Sequence, residues 1–191
     1  FMIFGVAEDH DSNPIKMGLG RLKERGAKIV AVNPVRTGYN AIADEWVGVT
    51  PGTDGLFILA LIHELIRTGH VDLDYLLRYT NAPWLVIQDP GAADDGMFAR
   101  DHNGNPLVLN RHANVVQNAR TARKNAAMKG EARLEDGRTA VPVFQLMAEK
   151  YLDDAYSPDA VAEKTGVTAA AIRRLSLRDF VRGPPALGVH H

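Results

Sequence analysis

The chain contains no cysteine among its 191 residues. Disulfides, iron–sulfur ligation, thiolate nucleophiles and cysteine-held metals are therefore all excluded from this sequence. A reducing compartment is compatible with that absence but not required by it. Long apolar runs are also missing. The longest candidate, from Gly55 to Ile66, is broken by His63 and Glu64 and falls short of the roughly 18 residues of a membrane-spanning helix. Charge of one sign is not in excess either, with 22 basic residues against 23 acidic ones, so no electrostatic footprint for nucleic acid is expected. What is present, 46% hydrophobic and 24% charged residues, describes a soluble globular chain large enough for one core or a core with an appended subdomain. It opens with Phe1-Met2-Ile3-Phe4-Gly5-Val6, which reads as a buried strand with no leader. An intact protein rarely begins in mid-strand, so the chain is expected to be a fragment. The terminal His190-His191, after Gly183-Pro184-Pro185, reads as an appended tail.

The first half alternates strand and helix. After Phe1–Val6, Asn13-Pro14 supplies an N-cap and a first-turn proline. Ile15, Leu19 and Leu22 then form an apolar stripe down to Gly26. Ala27–Val32 is a second buried strand and Glu45–Val49 a third. A helix from Thr53 or Asp54 to about Thr68, closed by Gly69, is apolar on nearly every side and is expected deep in the core. Asp72 caps a shorter helix through Tyr79, and Trp84–Ile87 is a fourth strand, giving a parallel α/β layer. The second half carries two hairpin signals, Asn103-Gly104 and Asp136-Gly137, on either side of a polar, alanine-rich stretch from Asn110 to Gly130 that reads as a loop or exposed helix. Helices follow over about Val143–Leu152, from Ser157-Pro158 to Gly166, and from Thr168 to about Leu177.

Two loops sit where an α/β sheet binds ligands, beyond the carboxyl ends of its strands. Asn33-Pro34-Val35-Arg36-Thr37 offers an amide, a guanidinium and a hydroxyl. Pro51-Gly52-Thr53-Asp54 stands at the N-terminus of the most buried helix, where glycine permits close approach and free N–H groups favour an anion. The Asp54 carboxylate can accept two parallel N–H bonds, such as a guanine edge offers. Helix capping alone also explains Thr53-Asp54, and on this motif by itself both readings stand.

Taken together, the stretch AKIVAVNPVRTGYNAIADEWVGVTPGTDGLFILALIHELI resembles the bis-molybdopterin guanine dinucleotide oxidoreductases, the group of formate dehydrogenases, nitrate reductases and dimethyl sulfoxide reductases. That family runs a strand into Asp-Pro-Arg-x-Thr, then an Ala-Asp pair, a short strand and Pro-Gly-Thr-Asp before a hydrophobic helix. The matching positions are Asn33, Pro34, Arg36 and Thr37, then Ala43-Asp44, then Pro51 to Asp54. The likeness reaches back to Gly5 and Asn13-Pro14, and forward to Ser157-Pro158 and Thr165-Gly166-Val167. It implies that Asn33, Pro34, Arg36 and Thr37 line the nucleotide half of one pterin cofactor, that Asp54 reads guanine, and that Gly52 and Thr53 touch nearby groups, with Pro51 and Gly5 completing the set. Two positions depart from the pattern: Asn33 replaces an aspartate, and Ala7 replaces the asparagine of a Gly-x-Asn turn. The resemblance also implies that the molybdenum or tungsten ligand and any iron–sulfur cysteines lie upstream of Phe1. The parent chain is then an oxidoreductase, and the 191 residues alone are expected to be inactive.

Other motifs compete. His63-Glu64 opens like a zinc-protease helix, but Arg67 stands where the second histidine belongs; His63 and Glu64 are read as the polar edge of a buried helix. Glu8-Asp9-His10-Asp11 is rich in metal-ligand types yet reads as a solvated loop, and Asp101, Asn103 and Asn105 echo a calcium loop but fit a hairpin better. Gly18-x-Gly20 lies inside a helix, where close helix–sheet packing explains it. Ala162 to Leu175 has helix-turn-helix spacing with Arg173 and Arg174 on its second helix, so a DNA-binding protein is one alternative and a stand-alone guanine-nucleotide binder another.

The expected architecture is thus α/β, a Rossmann-like parallel sheet layer with a β-hairpin and helical appendage. Its parts are a nucleotide-binding core over 1–90, a hairpin insertion over 91–145, a helical segment over 146–178 and a tail over 179–191. The expected partners are the rest of the parent polypeptide and an electron-transfer subunit, with no nucleic acid and no membrane segment in this piece. A cytoplasmic location is expected, with a periplasmic parent as the alternative.

Overall fold

The computed structural model describes residues 1–5, 14–36 and 38–179. In chain order the elements are β1 (Met2–Phe4), α1 (Pro14–Glu24), β2 (Val30–Val32), β3 (Glu45–Val47), α2 (Asp54–Arg67), α3 (Leu73–Tyr79), β4 (Leu85–Gln88), β5 (Leu107–Leu109), β6 (Val116–Asn118), α4 (Ala119–Ala122), β7 (Ala132–Arg133), β8 (Thr139–Pro142), α5 (Val143–Tyr151), α6 (Pro158–Thr165) and α7 (Ala169–Arg174). The chain forms two compact units, one of residues 1–70 and 152–191 and the other of residues 71–151.

The first unit is a three-layer α/β arrangement around a parallel sheet ordered β1-β2-β3. Its central strand is buried on both faces, which is why the run Ile29-Val30-Ala31-Val32 is apolar without alternation. Residues of opposite parity serve opposite layers. Ile29 and Ala31 pack with Ile3, Leu19 and Leu22 on the α1 side, while Val30 and Val32 pack with Val47, Phe57, Ala60, Leu61, Val161 and Ile172 on the side of α2, α6 and α7. The expected α1 stripe begins only at Leu19, because Ile15 is 46% exposed. Eleven helical residues run about 16 Å, whereas three-residue strands offer about 10 Å to cover. The pair Gly18 and Gly20 does not mark close packing, since a β-carbon at either would meet nothing within 4 Å. In α2, His63 and Glu64 are not a polar edge: they are 4% and 1% exposed. The Arg67 guanidinium grips Glu64 through Nε at 3.0 Å and Nη2 at 2.5 Å, so the carboxylate is buried already paired.

Asp44, of the Ala-Asp pair, sits at the amino end of the sheet. Ile29 N–H donates to its Oδ2 at 2.8 Å, and its own N–H donates to the Ile29 carbonyl at 2.8 Å, which sets the register of β2 on β3.

The second unit differs from the expected layout. The strand at Trp84–Ile87 is not a fourth parallel strand; β4 instead pairs antiparallel with β8, in a sheet ordered β4-β8-β7. Its partners lie later in the chain, so the first stretch of the first unit ends at His70 rather than near residue 90, and the helical segment divides, with α5 in the second unit and α6 and α7 in the first. The Asp136-Gly137 turn joins β7 to β8 as read, and the Asn103-Gly104 turn closes an antiparallel bridge between Arg100 and Pro106. The stretch from Asn110 to Gly130 is neither loop nor exposed helix throughout. It contains β6, paired with β5, and buries Ala119, Ala126 and Ala127. Among the described residues no helix is long and apolar enough to cross a membrane.

Candidate functional site

Three segments leave the parallel sheet at its carboxyl edge. Phe4, Val32 and Val47 are paired across the strands, and the ladder runs one residue further, with Gly5 N–H on the Val32 carbonyl and Asn33 N–H on the Val47 carbonyl, both at 3.1 Å. Gly5, the loop Asn33-Pro34-Val35-Arg36 and the segment from Gly48 to Asp54 therefore start from one row, with about 5 Å between neighbouring strands. Gly5, Asn33, Pro34, Arg36, Pro51, Gly52, Thr53 and Asp54 all belong to this edge. Thr37, Ala7, the Glu8–Asp11 loop, the Asn13 cap and the tail from residue 180 lie outside the described residues.

Asn33 is buried, and that environment suits a neutral amide better than the charge of an aspartate. Pro34 and Arg36 are exposed. The second loop is a tight turn closed by Thr53 N–H on the Thr50 carbonyl at 3.1 Å. Gly52 occupies φ +81°, a left-handed conformation that side chains resist, and a β-carbon there would meet only open space. Thr53 stands at the N-cap of α2, yet its hydroxyl donates to the Thr50 carbonyl at 2.7 Å and makes no cap bond. Capping therefore does not account for Thr53, and the first turn of α2 begins without a side-chain cap. Among the described residues no ion pair ties down the Arg36 guanidinium or the half-buried Asp54 carboxylate.

The helix pair α6–α7, which carries the helix-turn-helix spacing, serves this edge from behind. Thr50 N–H donates to the Thr165 carbonyl at 2.8 Å, so the turn at Thr165-Gly166-Val167 anchors the start of the Pro51–Asp54 loop. Thr165 itself is fully buried, with its hydroxyl on the Val161 carbonyl at 2.9 Å. Arg173 is paired with Asp159, and Arg174 grips Glu45 on β3 with one bond of 2.8 Å. Both arginines are committed within their own unit, which does not support reading them as a DNA contact.

Asp101 of the calcium-loop echo is likewise spent. Its oxygens accept from Asn103 N–H, Asn105 N–H, the Asn105 amide and the Asn118 amide, at 2.6 to 3.2 Å. Burial raises its pKa, but these bonds outweigh it and hold the carboxyl below the usual carboxylate range. Among the described residues no group of three or more histidine or acidic residues is placed to hold a metal. A cavity of about 810 Å³ lined by Asp101, Gln117, Asn118, Arg133, Asp136 and Arg138, among others, belongs to the second unit and shares no residue with the sheet edge. Sequence reasoning did not foresee it, because its lining comes from five separated segments.

The sequence reading also passed over Trp46 and Gly48. The indole Nε1 donates to the Asn33 carbonyl at 3.0 Å, and the ring lies over Gly48. The only sequence signal is an aromatic two residues ahead of a glycine in a short strand.

A parallel sheet with helices on both faces and an uncapped helix start at its carboxyl edge defines an α/β domain. No protein-family model matches the chain. It is 42% identical, over 185 residues and 92% of its length, to a sulfite dehydrogenase chain of Allochromatium vinosum, and covers 19% of that protein. It is 31% identical, over 87% of its length, to a putative dimethyl sulfoxide reductase catalytic chain of Halobacterium salinarum, covering 20% of it. The fold matches that of acetylene hydratase from Pelobacter acetylenicus with a TM-score of 0.53 at 18% identity, over 92% of this chain and 16% of that one. The chain belongs to the molybdopterin oxidoreductases of the dimethyl sulfoxide reductase family. That family is enzymatic and works with a pterin-bound molybdenum or tungsten, and the chain spans about a fifth of the length of the relatives named here.

Proposed function

We propose that the carboxyl edge of the parallel sheet holds the guanine nucleotide half of one molybdopterin guanine dinucleotide, within a longer oxidoreductase polypeptide. The observation that carries the reading is the start of α2. Thr53 spends its hydroxyl on the turn, the helix begins without a side-chain cap, and Asp54 stands there with a carboxylate that no ion pair among the described residues occupies. The donor set suits a guanine nucleotide. Asp54 can accept N1–H and N2–H of guanine in parallel, an arrangement adenine cannot supply. Gly52 leaves open space for a close approach; exposed Arg36 can meet phosphate oxygens, and Asn33, Pro34, Pro51 and Thr53 line the two loops, with Gly5 beside them. When bound, the pterin-held metal supplies the two-electron chemistry, an oxygen-atom or hydride-type transfer. This chain's part is to bind and orient.

The proposed partners are the rest of the polypeptide and an electron-transfer subunit, and the proposed location is the cytoplasm, or the periplasm. Calorimetric titration of the full chain with GDP and ADP tests the reading. GDP should bind at least about 10-fold tighter than ADP, and Asp54→Ala should erase most of that difference, as the loss of a charge-assisted bidentate pair of about 1.5–3 kcal/mol requires. Equal affinity for GDP and ADP, or an unaltered Asp54→Ala variant, overturns it.

A further inference from the structure

Trp46 stands where the parallel ladder ends. In a parallel pair, a residue that gives its N–H to one partner residue offers its carbonyl to the N–H two positions further along that strand. Asn33 obeys the first half, donating to the Val47 carbonyl at 3.1 Å. Its carbonyl instead receives the indole Nε1 of Trp46 at 3.0 Å. A side chain of β3 thus takes the place that the Val49 amide would fill in a continued ladder, and β2 and β3 are free to part beyond it.

The indole reaches that carbonyl only by lying along its own strand, over residue 48, which shares its face of the sheet. A β-carbon at Gly48 would stand 2.8 Å from Cη2 of the ring, closer than real β-carbons come, and 3.0 Å from Cζ2, so the ring would have to shift. Ring, glycine seat and carbonyl therefore form one bracket of three parts: Gly48 leaves room for the ring, and the ring in that seat puts Nε1 on the Asn33 carbonyl.

We infer that Trp46, seated on Gly48, is a positioning residue that sets where the Asn33–Arg36 loop departs from the sheet relative to the Pro51–Asp54 loop, and so the spacing that a guanine nucleotide meets. The inference rests on the nucleotide reading above. The bracket touches no ligand itself; it acts through the Asn33 backbone. Trp46→Phe keeps the ring and removes the N–H, while Gly48→Ala keeps the N–H and unseats the ring. Because both break one bracket, their effects should not add.

GDP titration of the full chain as wild type, Trp46→Phe, Gly48→Ala and the double variant tests this, together with amide hydrogen exchange measured without nucleotide. Each single variant should bind GDP about 3- to 10-fold more weakly, the range that one net hydrogen bond spans. The double variant should be no worse than about twofold beyond either. Exchange should quicken at Val35 and Arg36 in both singles while the amides of α2 keep their wild-type rates, a pattern general destabilisation would not produce. Wild-type GDP binding with unaltered affinity in Trp46→Phe and Gly48→Ala overturns the inference alone. So does multiplication of the two effects in the double variant. Failure of the wild type to bind GDP removes the nucleotide reading, and this inference with it.

Discussion

Glu64 and Arg67 show how far residue identity alone misleads. A carboxylate and a histidine side by side in an apolar helix read as its wet edge, yet both are buried. Burial of Glu64 is tolerable because Arg67, one turn on, presents two N–H donors to it while half of the arginine side chain reaches water. The hydrogen bond to Glu64 raises the Arg67 pKa further, so the guanidinium stays charged. The asymmetry makes a prediction for denaturant unfolding. Arg67→Ala should cost about 3 kcal/mol, because it strands a buried charge. Glu64→Gln should cost about 1 kcal/mol, because the arginine left behind can rehydrate. Equal costs would contradict the account. At the sheet edge, by contrast, residue types were informative: Asn33, Arg36, Gly52 and Asp54 are chemically apt wherever a strand ends, and the sheet puts their segments on one edge. Trp46 was not legible, since its role depends on a backbone carbonyl thirteen residues away.

Among the elements, those with long periodic patterns and end signals were legible in detail. The sequence predicts α2 from Thr53 or Asp54 to about Thr68 and the structure has Asp54–Arg67; α6 and α7 open at Ser157 and Thr168, each accepting a cap bond as expected. The three-residue strand β6 (VQN) has too short a pattern to declare itself and exists through its pairing with β5. Asp44 belongs at this scale because it joins two strands. The hydrogen bond from Ile29 N–H, aided by Lys23, holds its carboxyl below the usual carboxylate range. A carboxyl more acidic in the folded than in the unfolded chain stabilises the fold above its ordinary titration range, and that contribution disappears as pH falls through the depressed value. Stability of the wild type should therefore decline below about pH 4, and Asp44→Asn should lower stability at pH 7 while flattening that acid limb. A variant with an unchanged acid slope would assign the Ile29 contact no such role.

For the molecule as a whole, the class was visible in the order of elements and the division into units was not. Strand, helix, strand at the start declares an α/β layer, and the structure has one. The boundary was hidden because β4 looks like a fourth strand of the same layer until its pairing with β8, more than fifty residues later, is known. The central claim is that one edge of the first unit takes a guanine nucleotide. Isotope-labelled full chain titrated with GDP and followed by amide chemical shifts tests it most directly. The account predicts saturable shifts concentrated at Asn33, Val35 and Arg36 and at Gly52 to Leu56, with the cavity residues Gln117, Asn118 and Arg133 unmoved. Shifts centred on that cavity, or none at any residue, would contradict it.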